Sequence, residues 1–151
     1  MDLKPIAYIQ SSWHTEITDH CKQAFMARVA KHGYQPDTVE QFRAPGSLEI
    51  PLIAKKLAKS SRYAAVCASG LVVDGGIYRH EFVAHAVLQG LVQVSLETEV
   101  PVLSAVLTPH HYHEHATHEE FFRQHMRTKG EELADACVSI IRTLSALDPP
   151  A

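Results

Sequence analysis

Tyr63-Ala64-Ala65-Val66-Cys67-Ala68-Ser69-Gly70-Leu71-Val72-Val73 runs into Asp74-Gly75-Gly76-Ile77-Tyr78-Arg79-His80-Glu81-Phe82. The first part is apolar on both parities, the pattern of a parallel strand covered on both faces. Two glycines break the run. From about Arg79 to Glu97 apolar residues then recur at helical spacing, with Phe82, Val83, Ala86, Val87, Gly90, Leu91 and Val94 as the inward stripe. In an open α/β sheet the carboxyl end of such a strand is where ligands bind, because backbone N–H groups of the turn and helix start converge there.

The flanking sequence repeats the alternation. Pro5 to Gln10 is short, apolar and β-prone and ends in the polar Ser11-Ser12-Trp13. Between His14 and His32, Ile17, Cys21, Ala24, Phe25 and Val29 recur at helical spacing, and Gly33 supplies a stop. Thr38 to Phe42 reads as a second strand, broken by Ala44-Pro45-Gly46-Ser47. Ser47 is then placed to cap a helix carrying Leu48, Pro51, Leu52, Ala54 and Leu57. Pro101 to Leu107 is a fourth strand closed by Thr108-Pro109. A last helix is expected from near Thr117 to Leu147, with an interruption around Thr128-Lys129-Gly130. Four strands each followed by a helix predict a three-layer α/β/α domain with a four-stranded parallel sheet, flavodoxin-like and doubly wound, spanning residues 1–151 as one unit.

Composition narrows the classes. The 151 residues are 46% hydrophobic and 21% charged, ordinary for a globular domain. A formal charge of −3 with no Lys/Arg run offers no field for a nucleic-acid backbone. No apolar run approaches the ~18 residues that a bilayer requires, and the start lacks a signal-peptide layout, so a cytoplasmic location and no membrane partner are expected. Cys21, Cys67 and Cys137 lie far apart in apolar contexts and read as buried thiols.

Four junctions, at Ser11 to Trp13, Ala44 to Glu49, Val73 to His80 and after Leu107, open on one edge of such a sheet and can share a pocket. Trp13 offers a flat apolar face for a ring, or a rim contact with a neighbouring loop or subunit. Glu49 at a helix start serves the helix dipole, or accepts hydrogen bonds from a polyol or amine. Gly75-Gly76 with Arg79 suits an anion, although Arg79 is equally at home as a solvated or inter-subunit ion-pairing residue. His80, at a helix N-terminus that favours a neutral imidazole, is suited to act as a base. Of the eleven histidines, His110, His111, His113, His115, His118 and His125 crowd one stretch. Adjacent and alternate histidines in a loop do not by themselves make the i, i+4 pair or the Cys-containing tetrad of specific zinc motifs, so a solvated, pH-sensitive surface is expected and no metal.

Taken together, Trp13 after the first strand, Pro45-Gly46-x-x-Glu49-Ile50-Pro51, the Gly-x-Val-x-x-Gly turn ending in His80, the strand from Val100 to Thr108 and Lys129-Gly130 resemble the 6,7-dimethyl-8-ribityllumazine synthase family over nearly the whole chain. The resemblance implies a condensation of 5-amino-6-ribitylaminouracil with 3,4-dihydroxy-2-butanone 4-phosphate, the penultimate step of riboflavin biosynthesis, with no cofactor. It also implies roles. Trp13 would stack on the pyrimidinedione, Ser47 and Leu48 would line the ring and ribityl site, and Glu49 would hold ribityl hydroxyls. Val72 and Val73 would present backbone groups to the ring, and His80 would be the general acid/base. Ser104 and the last helix would come from a neighbouring subunit.

Many members carry threonines before the histidine and an arginine in the last helix as a phosphate clamp. Here the turn has one extra residue and no arginine aligns; His125 lands nearest. Gly75, Gly76 and Arg79, assisted by His125 or Lys129, are therefore expected to bind the phosphate. The turn and the histidine-rich loop resemble the divergent second-type subgroup, whose members tend to form dimers of pentamers, and the loop is a candidate pentamer-to-pentamer contact. A flavin- or lumazine-binding storage oligomer with little turnover is the alternative on the same scaffold.

Overall fold

The computed structural model describes residues 3–73, 79–108 and 116–148. Gly75, Gly76 and the run His110 to His115 lie outside the described residues, as does the side chain of His118. Strands β1 (Ile6–Ser11), β2 (Val39–Ala44), β3 (Ala65–Leu71) and β4 (Val102–Leu107) pair in parallel in the order β2-β1-β3-β4. Every residue of β1 and β3 is buried, which is why these two read as continuous apolar runs. Their side chains alternate between two cores. Tyr8, Cys67 and Leu71 enter a cluster with Cys21, Phe25 and Val29 of α1 (Thr15–Lys31) and Met126, Leu133 and Cys137 of α4 (Ala116–Leu147). Ala7, Ile9, Val66 and Ala68 enter another with Ile50 and Ala54 of α2 (Ile50–Lys59) and Val87 and Leu91 of α3 (His80–Thr98). The expected three-layer α/β/α fold with helices on both faces is therefore the observed one.

Local structure departs from expectation at three places. β2 continues to Ala44, because Ser12 donates both its amide and its hydroxyl to the Ala44 carbonyl, at 2.9 and 2.7 Å, and ties the chain ends of β1 and β2 together. Ser47 does not cap a helix. It opens a 3₁₀ turn, Ser47–Glu49, and α2 begins only at Ile50, with Pro51 in the first turn where its missing N–H costs nothing. The last helix is not interrupted at Gly130 but runs unbroken to Leu147. Packing overrides the low helix propensity there: a Cβ on Gly130 would stand 2.3 Å from the Cys21 carbonyl oxygen, so the glycine is what lets α4 lie against α1.

The thiols of Cys21, Cys67 and Cys137 are buried and form no disulfide. Burial pushes the Cys21 thiol up to about 11, which makes it inert at neutral pH. Among the described residues no helix is long and apolar enough to cross a membrane.

Candidate active site

Parallel pairing aligns the carboxyl ends of the strands, with Ser11 opposite Ala44 and Leu71 opposite Leu107. The crevice beyond β1 and β3, where the chain reverses its winding direction, is where an open α/β sheet binds ligands.

One side of that edge is built from the β1 and β2 junctions. His14 adopts a left-handed conformation (φ 56°, ψ 43°), and its carbonyl accepts the amides of Ile17 and Thr18 at 3.0 and 3.1 Å. That turn starts α1 directly after Trp13, leaving the indole 66% exposed at the rim. A Cβ on Gly46 would lie 3.1 Å from a Glu49 carboxylate oxygen and 3.4 Å from the Trp13 indole nitrogen, so Trp13 and Glu49 both close over this glycine. A Cβ on Gly70 would lie 3.1 Å from the Ser47 hydroxyl and 3.2 Å from Ser11 Cβ. Ser47 therefore turns its hydroxyl toward the end of β3, which is where it goes in place of capping α2. Leu48 is half exposed beside it. Trp13, Ser47, Leu48 and Glu49 thus share one patch, an aromatic face beside a hydroxyl and a carboxylate.

The other side is built from the β3 and β4 ends. Val72 donates its amide to the Leu107 carbonyl at 2.8 Å and is buried, whereas Val73 is only partly covered. Thr108, the residue after β4, donates its hydroxyl to the Val72 carbonyl at 3.0 Å. The same hydroxyl is in hydrogen-bond contact with Nδ1 of His80, the first residue of α3. Thr108 carries this contact and sequence reading passed over it, taking it as a strand terminator; the signal was its position directly beyond an apolar strand at the ligand edge. Arg79 precedes α3 in extended conformation, exposed, with its guanidinium 6.0 Å from the centre of the Phe82 ring.

The remaining expected residues fall elsewhere within one chain. His125 and Lys129 ride on α4, in the layer across the sheet from α3 and Arg79. The His125 ring stacks on Phe121 at 6.1 Å, and Lys129 pairs with Glu132 at 3.0 Å. Ser104 lies mid-strand on β4, the outer strand of the sheet, exposed, with its hydroxyl accepting the Val106 amide at 3.0 Å. Gly75 and Gly76 lie outside the described residues.

Residues 4–145 match the model of the 6,7-dimethyl-8-ribityllumazine synthase family. The chain belongs to that family. A lumazine synthase of Rhodococcus erythropolis is 53% identical over 94% of this chain and 92% of its own length. A protein named 6,7-dimethyl-8-ribityllumazine synthase 2 from Pseudomonas syringae pv. tomato is 50% identical over 95% of this chain and 86% of its own. The lumazine synthase of Coxiella burnetii is 33% identical over 95% of this chain and 93% of its own. Likeness to lumazine synthases therefore extends across every junction described above.

Proposed function

We infer that this protein is a transferase that joins 5-amino-6-(D-ribitylamino)uracil to 3,4-dihydroxy-2-butanone 4-phosphate, forming 6,7-dimethyl-8-ribityllumazine for riboflavin biosynthesis. The observation that carries the reading beyond family membership is the convergence of Trp13, Ser47 and Glu49 on the edge that also bears His80. Imine formation, loss of phosphate and ring closure need positioning, proton shuttling and an anion site, and we assign those roles to residues of this edge. Trp13 stacks on the pyrimidinedione and Ser47 and Leu48 flank it. Glu49 accepts hydrogen bonds from the ribityl hydroxyls. Val73 presents backbone groups to the ring, with Val72 behind it committed to β4. His80 moves the protons. Arg79 at the start of α3 receives the phosphate, with Gly75 and Gly76 preceding it in the sequence.

Because His125 and Lys129 sit across the sheet from Arg79, they and Ser104 join this site from a neighbouring subunit. An assembled homo-oligomer, a pentamer or a dimer of pentamers, is the working form. The exposed stripe Leu88, Val92 and Leu96 on α3, 41%, 58% and 76% accessible, supports assembly, since a lone soluble chain rarely leaves three large apolar side chains aligned at i, i+4 spacing. We place the enzyme in the cytoplasm, with small-molecule substrates and no nucleic-acid or membrane partner.

Mixing the purified protein with both substrates and following lumazine fluorescence tests the assignment. Product formation well above the uncatalysed rate is expected, and its loss in His80→Ala. Tight riboflavin binding with no product above that rate would replace the synthase by a flavin-binding oligomer.

A further inference from the structure

We propose that Thr108 is a positioning residue that fixes His80 as the Nδ1–H tautomer, so that proton transfer runs through Nε2. The inference deepens the catalytic reading of His80 given above and rests on it only for its kinetic part.

The argument is a count of protons. The Thr108 hydroxyl has one hydrogen, and the Val72 carbonyl, 3.0 Å from Oγ1, can only accept. Both contacts of the hydroxyl are hydrogen bonds at once only when that hydrogen lies between Thr108 and Val72. The Thr108 oxygen faces His80 Nδ1 with lone pairs alone, and the contact is a hydrogen bond only if Nδ1 carries the proton. A neutral imidazole with hydrogen on Nδ1 has its basic lone pair on Nε2. In the alternative tautomer the hydroxyl would have to turn its hydrogen to Nδ1, setting its lone pairs against the Val72 carbonyl oxygen and forfeiting that bond.

The backbone holds this relay rigid. Val72 is anchored by its own amide to Leu107, so its carbonyl is fixed relative to the residue after β4. His80 is anchored as the first residue of α3, with the amides of Phe82 and Val83 closing on the Arg79 carbonyl at 3.2 and 3.4 Å. The arrangement also survives turnover. Nδ1 keeps its hydrogen in both the neutral ring and the imidazolium, so the bond to Thr108 never reverses while Nε2 gains and loses a proton. A general acid/base that alternates roles gains from a partner that needs no rearrangement.

The test uses the assembled protein labelled with ¹⁵N-histidine, with the His80 resonances assigned by subtraction of the His80→Asn spectrum. The wild type is expected to show a protonated Nδ1 and an unprotonated Nε2 in the neutral ring. Thr108→Val, nearly isosteric and at an exposed position, should shift His80 toward the Nε2–H form, and Thr108→Ser should restore the wild-type pattern. A wild-type ring protonated on Nε2, or a Thr108→Val spectrum identical to wild type, overturns the proposal. In the lumazine-forming assay, kcat of Thr108→Val should fall by about tenfold to a hundredfold with both KM values little changed, and Thr108→Ser should recover most of it. Thr108→Val that keeps the wild-type kcat also overturns the proposal. If wild type makes no lumazine while the spectra behave as expected, the tautomer assignment stands and the synthase reading of the site falls.

Discussion

Replacing Gly130 by Ala sets two effects of opposite sign against each other. In an exposed helix the change stabilises by about 1 kcal/mol, because glycine gives up more backbone freedom on folding than alanine does. Here the new Cβ would stand 2.3 Å from the Cys21 carbonyl oxygen and 2.9 Å from Ala24 Cβ. The first distance is about 1 Å short of ordinary contact. The obstacle is the backbone of α1, whose carbonyl belongs to the helix ladder and cannot rotate aside. Relief requires α1 and α4 to separate locally, and the side chains between them include Cys21, Phe25, Met126, Ala134 and Cys137, all fully buried. Overpacking of this kind costs typically ~1–3 kcal/mol, and a rigid obstacle places it toward the upper end. Subtracting the helix-propensity gain leaves a net loss of roughly 2 kcal/mol. The measurement is urea unfolding at fixed protein concentration, since assembly makes the midpoint concentration-dependent. A lower midpoint at unchanged slope is expected. Gly130→Ala as stable as the parent, or more so, would refute the close approach of α1 and α4.

Arg79→Ala should raise the KM for the phosphorylated ketone far more than that for the uracil in steady-state assays, and equal effects on both would remove Arg79 from the phosphate site. Leu96→Glu places a carboxylate in the apolar stripe of α3 and should shift the mass measured by analytical ultracentrifugation toward smaller species; unchanged mass would show that this stripe faces solvent. The Arg28 guanidinium, donating to both oxygens of Asp135 at 2.9 and 3.0 Å, and then His32 hold that carboxyl at about 2, below its ordinary 3.8. The folded value is the lower one, so the stabilisation is complete above the ordinary value and is lost as pH falls through about 2. The urea midpoint of wild type should therefore exceed that of Asp135→Asn at pH 6 and converge on it toward pH 2, and a constant gap would refute the linkage.

The sheet and its ligand edge were legible because burial on both faces leaves an unmistakable apolar run at Ala65–Leu71 and because parallel strands bring their carboxyl ends together. That geometry alone put Trp13, Glu49 and His80 on one edge. Three things depended on contacts that no local pattern carries. Gly130 reads as a helix break from propensity, yet its reason is a carbonyl of a helix distant in sequence. Ser47 reads as a cap, yet its hydroxyl is drawn to the end of β3. Thr108 reads as the end of a strand, and its bond to His80 exists only because β3 and β4 end in register. The phosphate candidates were grouped by motif, whereas layer membership divides them: Arg79 stands at the start of α3 on one side of the sheet, and His125 and Lys129 on α4 across it.

That division has a consequence that subunit mixing can read. If each site takes Arg79 from one chain and His125 with Lys129 from its neighbour, then Arg79→Ala and the double variant His125→Ala/Lys129→Ala damage the same site from different chains. Each variant assembled alone has every site impaired. Unfolded together at equal amounts and reassembled at random, half of the sites draw their α3 from the double variant, which retains Arg79. Half of those face an α4 from the Arg79→Ala chain, which retains His125 and Lys129. About a quarter of sites are then fully wild type, and activity should rise to about a quarter of the wild-type value from two nearly inactive parents. Were all three residues to serve a site within one chain, every site in the mixture would carry a defect and no recovery would follow. Failure to recover in mixtures whose mass confirms reassembly would refute the two-chain site, and full activity in the double variant alone would leave Arg79 as the phosphate's principal ligand.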